Sequence, residues 1–152
     1  HRRAPRRGDV VQLTVDAGAL VVPALKHGPH GAPQLLPRVG GEVSPDARTE
    51  RVDLGANAYP VISEAVQGDI EPVTLAEDFE FYANENGWAE FSPLERNPLA
   101  EAVQLGCLGA ANPIVGPVIF TGGIDEAGET RGLSETRAAL VEQLAMMMRG
   151  EA

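Results

Sequence analysis

The thirteen residues Phe79-Glu-Phe-Tyr-Ala-Asn-Glu-Asn-Gly-Trp-Ala-Glu-Phe91 do most to limit the folds open to this chain. Phe79 and Phe81 alternate with Glu80 and Tyr82, the two-residue period of a strand with one buried face. The run breaks at Asn84-Glu85-Asn86-Gly87, and Asn-Gly is the dipeptide that best tolerates positive φ at both centres of a tight turn. Trp88 and Phe91 resume an apolar pattern beyond it. The stretch predicts a β-hairpin over about 79–91, with an antiparallel sheet built around it.

The other elements follow from punctuation, since 17 Gly and 12 Pro in 152 residues imply many turns and few long helices. The length suits one domain with a real core. Residues 1–8 read as a basic flexible arm and 9–150 as a single α+β domain. Val10–Val15 and Leu20–Leu25 predict two strands around a turn, with Pro23 placing the second at an edge or ending it early. The Gly/Pro-rich stretch at about 26–51 predicts a long loop. A first short helix is expected over 57–68, with Pro60 in its first turn and Gly68 at its stop. Ile70–Leu75 predicts a strand whose Pro72 marks an edge or bulge. Asn97-Pro98 predicts an N-cap and first turn of a second helix ending near Gly106, and Ile114–Phe120 a strand covered on both faces. The last element is an amphipathic helix capped by Ser134, with Leu140, Val141, Leu144, Met147 and Met148 forming its apolar stripe. The fold class is thus α+β: a small, mostly antiparallel sheet with a central hairpin, two short helices and a C-terminal amphipathic helix.

The formal net charge of −10 hides an asymmetry. Four Arg lie within residues 1–7, which leaves eight basic against 22 acidic side chains, or −14, for residues 8–152. Such a body repels nucleic-acid phosphate, so no direct nucleic-acid binding is expected; it favours solubility, a cationic partner or imitation of a polyanion. Eleven of the twelve basic residues are Arg, a bias that fits a GC-rich genome and suggests an actinobacterial host or one of its phages. The single cysteine, Cys107, excludes an intramolecular disulfide and suits a reducing cytoplasm, where it is expected to be a small buried apolar residue. No apolar run approaches the ~20 residues needed to span a bilayer, and Gly8-Asp9 after the basic residues does not make a signal peptide. The first residue is His1, so the true start is expected upstream.

Chemical motifs are scarce. His27-Gly-Pro-His30 presents two imidazoles, short of the three or four ligands zinc requires, so no metal site is expected. Gly122-Gly-Ile-Asp-Glu-Ala-Gly128 lacks the Lys-Ser/Thr of a P-loop, and its acids repel phosphate. Aligning Gly87 with the invariant EF-hand glycine puts Tyr82 and Pro93 at ligand positions, which fails. There is no G-x-S-x-G elbow, and the histidines cluster away from any nucleophile. Asp78 and Glu80 read as a solvated acidic face rather than an acid–base pair. No catalytic residue and no cofactor are expected.

Several of these stretches recur together in a known group. Gln67-Gly-Asp-Ile-Glu71, Tyr82-Ala-Asn-Glu-Asn-Gly87, Asn97-Pro98, Ile114-Val-Gly-Pro-Val-Ile-Phe-Thr-Gly122 and Asp125-Glu-Ala-Gly-Glu129 stand in the order in which the domain of unknown function (DUF) 3846 family carries them. The chain resembles that family over about residues 57–135, more weakly near Val10, and departs from it between Lys26 and Arg51. The resemblance implies a small protein of phage, plasmid or actinobacterial type acting in the host cytoplasm, with no activity attached and no catalytic residues to carry over.

The expected function is a non-enzymatic acidic protein that binds a host protein, in host takeover or anti-defence. Asn84, Glu85, Trp88, Arg96, Asp125 and Glu126 are the candidate ligand- or partner-binding residues. The alternatives are an oligomer that sequesters a signalling nucleotide near Asn84, Trp88 and Arg96, a DNA mimic presenting Glu77, Asp78, Glu80, Glu85, Glu90 and Glu95 as a line of carboxylates, and a virion-associated protein. A homo-oligomer is compatible with each.

Overall fold

The computed structural model describes residues 18–24 and 47–151. Five strands, β1 (Gly18–Val22), β2 (Glu50–Asp53), β3 (Ile70–Ala76), β4 (Phe79–Asn84) and β5 (Val118–Thr121), form one antiparallel sheet in the order β2-β1-β5-β4-β3. The helices are α1 (Ala58–Val66), the single turn α2 (Gly87–Glu90), α3 (Pro98–Leu108) and α4 (Glu135–Met148).

Side chains alternate across each strand, and here both faces are covered. Leu20, Val22, Phe79, Phe81, Ala83, Val118 and Phe120 pack against Leu99, Ala100 and Val103 of α3 and Ala138, Val141 and Ala145 of α4. Phe120 stacks on Phe79 with ring centroids 5.6 Å apart and meets Phe81 edge-on at 5.4 Å. On the opposite face Ala19, Tyr82 and Ile119 lie under Ile62 and Val66 of α1, with Leu54. Helices on both sides explain why three of the four residues of β5 are apolar: all four are buried.

The α+β class, the two short helices and the C-terminal helix match the expectation. Pro23 lies just beyond the end of β1, and Pro72 sits on β3, an edge of the sheet, where a missing N–H costs no ladder bond. Asn97 caps α3, its side chain accepting from the Ala100 amide, and Ser134 caps α4 by accepting from the Arg137 amide.

The hairpin is elsewhere than expected. β4 pairs with β3 through the turn at Glu77 and Asp78, and Gly87–Glu90 is helical rather than a second strand. Both edges of β4 are taken, by β3 and β5, so residues beyond Asn84 have no edge to pair with. The Asn84 Oδ1 accepts from the Asn86 amide at 2.7 Å, a side-chain turn that replaces the Asn-Gly hairpin turn and starts α2.

Other differences are local. Gln67, at φ 65, takes the left-handed C-cap of α1 in place of Gly68. Gly68 serves a close approach instead, since a Cβ there would lie 2.7 Å from the Asn84 Nδ2. Gly109, not Gly106, caps α3, and Cys107 is exposed near the helix end rather than buried. On α4 the buried stripe is Ala138, Val141 and Ala145, while Leu140 and Met147 are exposed. The two alanines let the helix lie close to the sheet, and the larger side chains fall to its flank. β2 straddles the end of the stretch read as loop and was not expected: three of its four residues are charged, so no apolar alternation marks it. Arg51 of β2 is held instead by Glu135 and Glu142 of α4, each at 2.8 Å. The basic arm, the strand expected at Val10–Val15, residues 26–46 of the loop and His27 and His30 lie outside the described residues.

Candidate functional site

Asn84 ends β4 with its side chain turned inward. Its Nδ2 donates to the carbonyls of Val66 and Gln67 at 3.1 and 3.3 Å and to Glu90 Oε1 at 3.0 Å, so it ties the end of α1 to α2. The Glu85 amide then donates to the Asp69 carbonyl at 2.8 Å, closing the open end of the β3–β4 pair. The next turn, α2, is fixed by the Ala89 and Glu90 amides donating to the Asn86 carbonyl. What this buttressing projects is Trp88, 55% exposed on a one-turn helix whose base is pinned. Asp69, Glu85 and Glu90, exposed residues of the same corner of the fold, carry negative charge there, Glu90 with one oxygen bound by Asn84, and no basic side chain among the described residues forms a salt bridge with them. An indole held out at an acidic corner offers apolar area at low conformational cost beside a negative potential.

The other candidates are placed differently. Arg96 is half-buried and grips Glu101 with two parallel bonds, Nε–Oε2 at 2.9 Å and Nη2–Oε1 at 3.0 Å, while Glu101 also accepts from the Ile114 amide. Its guanidinium is thereby spent on structure, and it faces Val115 across an isolated bridge. Asp125 organises a tight loop, its Oδ1 accepting from the Ala127 and Glu129 amides, both at 2.9 Å, and Glu126 is exposed in that loop. The structure therefore brings together Asn84, Glu85 and Trp88, with Arg96 before α3 and Asp125 and Glu126 beyond the far end of β5. The six carboxylates from Glu77 to Glu95 do not form a line: Glu80 is buried, Asp78 pairs with Arg137 at 2.9 Å and Glu95 accepts from the Ser92 amide. The Arg137 guanidinium holds the Asp78 carboxyl below its ordinary range, chiefly through that hydrogen bond.

A polar row on the α1 side of the sheet escaped the sequence reading. Thr74 of β3, Glu80 of β4 and Thr121 of β5 are direct cross-strand partners, so their side chains stand side by side on one face. Glu80 is only 7% exposed and Thr121 wholly buried. The Thr74 hydroxyl donates to Glu80 Oε2 at 3.3 Å, and no donor among the described residues reaches Oε1. Tyr82, two residues along β4, is pushed up to about 12 by burial and then by the Glu80 charge and a hydrogen bond to the Glu80 carboxylate, with Thr130 also bonded to its hydroxyl. Glu80 read as a solvated strand residue because the alternation makes it the polar partner of two phenylalanines; its burial is tertiary and leaves no mark in the local pattern.

Among the described residues no helix is long and apolar enough to cross a membrane, and no three His, Cys, Asp or Glu side chains gather as metal ligands. Comparison with curated proteins and with solved structures gives no match. A family model described as a domain of unknown function, DUF3846, matches residues 42–146, taking in β2 and nearly all of α4. With the match covering well over half of its length, the chain belongs to the DUF3846 family.

Proposed function

We propose that this protein is a non-enzymatic, acidic interaction protein that docks through the Trp88 corner onto a cationic surface of another protein, in a phage or mobile-element setting where that partner is a host protein. The carrying observation is the pairing of a rigidly based, half-exposed indole with neighbouring carboxylates that no described basic side chain neutralises. Desolvating Trp88 supplies affinity, and Asp69, Glu85 and Glu90 steer the approach and select the sign of the partner's charge. The chain's net charge of −10 acts in the same direction at longer range.

The test is affinity capture from the cells in which the protein is made, comparing wild type with Trp88→Ala and Glu85→Lys. The reading expects a defined basic partner whose binding weakens as salt rises. It expects a loss of roughly 30-fold in affinity for Trp88→Ala, in the range of interface hot spots. Undiminished capture by both variants would contradict it.

A further inference from the structure

The fold uses only half of the apolar stripe that the sequence marks on α4. Ala138, Val141 and Ala145 face the sheet, while Leu140 is 49% and Met147 60% exposed, with Leu144 and Met148 half-buried at their flank. Leu140, Leu144 and Met147 recur at intervals of four and three residues, the spacing of a seam between two packed helices. The other exposed positions on this side, Thr136, Ala139 and Gln143, are uncharged. A helix that is apolar on its outer side as well as its inner one has surface left to bury. None of these residues belongs to the Trp88 corner, which lies beyond the end of β4.

Charge decides what can cover it. Between Arg137 and Arg149 the helix carries one charged residue, Glu142, and Arg51 of β2 holds it. The charges bordering the stripe are likewise paired within the chain: Glu135 with Arg51, Arg137 with Asp78 and Arg149 with Glu151. α3 lies against α4 and is also neutral in its exposed C-terminal part: no charged residue stands between Glu101 and Asp125, and Leu105 and Leu108 are exposed. A cationic partner finds no free carboxylate on this stripe and is drawn to the acidic corner instead. A second copy carries the same net charge of −10, so it meets least repulsion where the surface is neutral and apolar. Two-fold symmetry then selects the direction. Parallel helices would set Arg137 beside Arg137 of the other copy, whereas antiparallel helices bring it near Glu151 and align the helix dipoles favourably.

We infer that α4 is the contact helix of a homodimer. A second copy of this chain lays its own α4 antiparallel along the first, and Leu140 of each copy meets Met147 of the other, with Leu144 of both copies between them.

The experiment is sedimentation velocity of the intact chain from micromolar to millimolar concentration, alongside Leu140→Glu and Met147→Lys. Both side chains are exposed, so each variant is expected to keep the wild-type far-UV circular dichroism and unfolding midpoint. The inference expects wild type to pass from monomer to dimer as its concentration rises. Each variant should dimerise more weakly by roughly tenfold or more, because a charge enters an apolar contact. Mixing the two variants tests the arrangement itself. In an antiparallel pair the introduced carboxylate faces the introduced ammonium at one contact and the other contact stays wild type, so the mixture is expected to form a heterodimer more readily than either variant forms a homodimer. A wild-type chain that stays monomeric throughout, variants that dimerise as well as wild type, or a mixture no better than its components would overturn the inference. Trp88→Ala is expected to leave the dimer unchanged while weakening the docking of the acidic corner, so failure of the docking reading and failure of this one are distinguishable.

Discussion

The Asn97 side chain, fully buried, donates from Nδ2 to the Val22 carbonyl at 3.0 Å, joining positions 75 residues apart. The same Nδ2 donates to the Gly116 carbonyl at 2.9 Å, and Oδ1 accepts from the Ala100 amide at 3.1 Å. One residue thus caps α3 and fastens it to the end of β1 and the approach to β5. Asn97→Ala removes a cap worth about 1 kcal/mol and strands two buried carbonyls, for an expected total of about 3 kcal/mol. Asn97→Asp keeps the cap but sets a carboxylate oxygen against both carbonyls and is expected to cost at least as much. Denaturant unfolding checks both, and an aspartate variant as stable as wild type would show that the two donated bonds contribute nothing.

Tyr82 carries a pH dependence with a definite sign. Its folded value is raised to about 12, whereas an unfolded phenol titrates near ~10. Between those values the folded state holds a proton that the unfolded state has released, so this contribution is complete below the lower value and is lost as pH rises through the window. Tyr59→Phe leaves Tyr82 as the only phenol, because the chain has two tyrosines. Phenolate absorbance in that variant is expected to appear near pH 12, and earlier once Glu80→Gln removes the neighbouring charge. A midpoint at the ordinary value in protein that is still folded would contradict the buried setting.

Two glycines are expected to respond to alanine with opposite signs. A Cβ on Gly122 would fall 2.1 Å from the Gly132 carbonyl oxygen, where residues 122–132 fold back on themselves through the Gly122–Arg131 and Arg131–Gly123 backbone bonds. Gly122→Ala must part these segments and is expected to destabilise by roughly 2 kcal/mol or more. Gly106 lies inside α3 with nothing within 4 Å of a Cβ, so Gly106→Ala should stabilise by about 0.5–1 kcal/mol. Thermal unfolding of the two variants reads both signs.

The residues that announced themselves in the sequence were those whose local chemistry and tertiary role agree. Asn97-Pro98 and Ser134 cap helices as their side chains dictate, and Pro72 and Pro23 mark an edge and a strand end. Asn84-Glu-Asn-Gly87 misled because a side-chain turn and a hairpin turn draw on the same residues, and the choice between them was made by β3 occupying the edge of β4. β2 left no trace because it is held by Arg51 pairing across to α4 rather than by an apolar alternation. For the site, the exposure of Trp88 depends on Asn84 turning inward beneath it, and the burial of Glu80 depends on tertiary packing around β4; neither is a property of a short window of sequence.

Trp88 is the only tryptophan, so its fluorescence reports on the proposed docking corner without interference. Collisional quenching by caesium and by iodide at low ionic strength, each normalised to free N-acetyl-tryptophanamide, tests whether the indole is both exposed and set in a negative potential. The account predicts that both ions reach Trp88, that caesium is the relatively better quencher, and that the difference collapses as inert salt screens Asp69, Glu85 and Glu90. An indole reached by neither ion, or quenched preferentially by iodide, would contradict an exposed acidic docking surface.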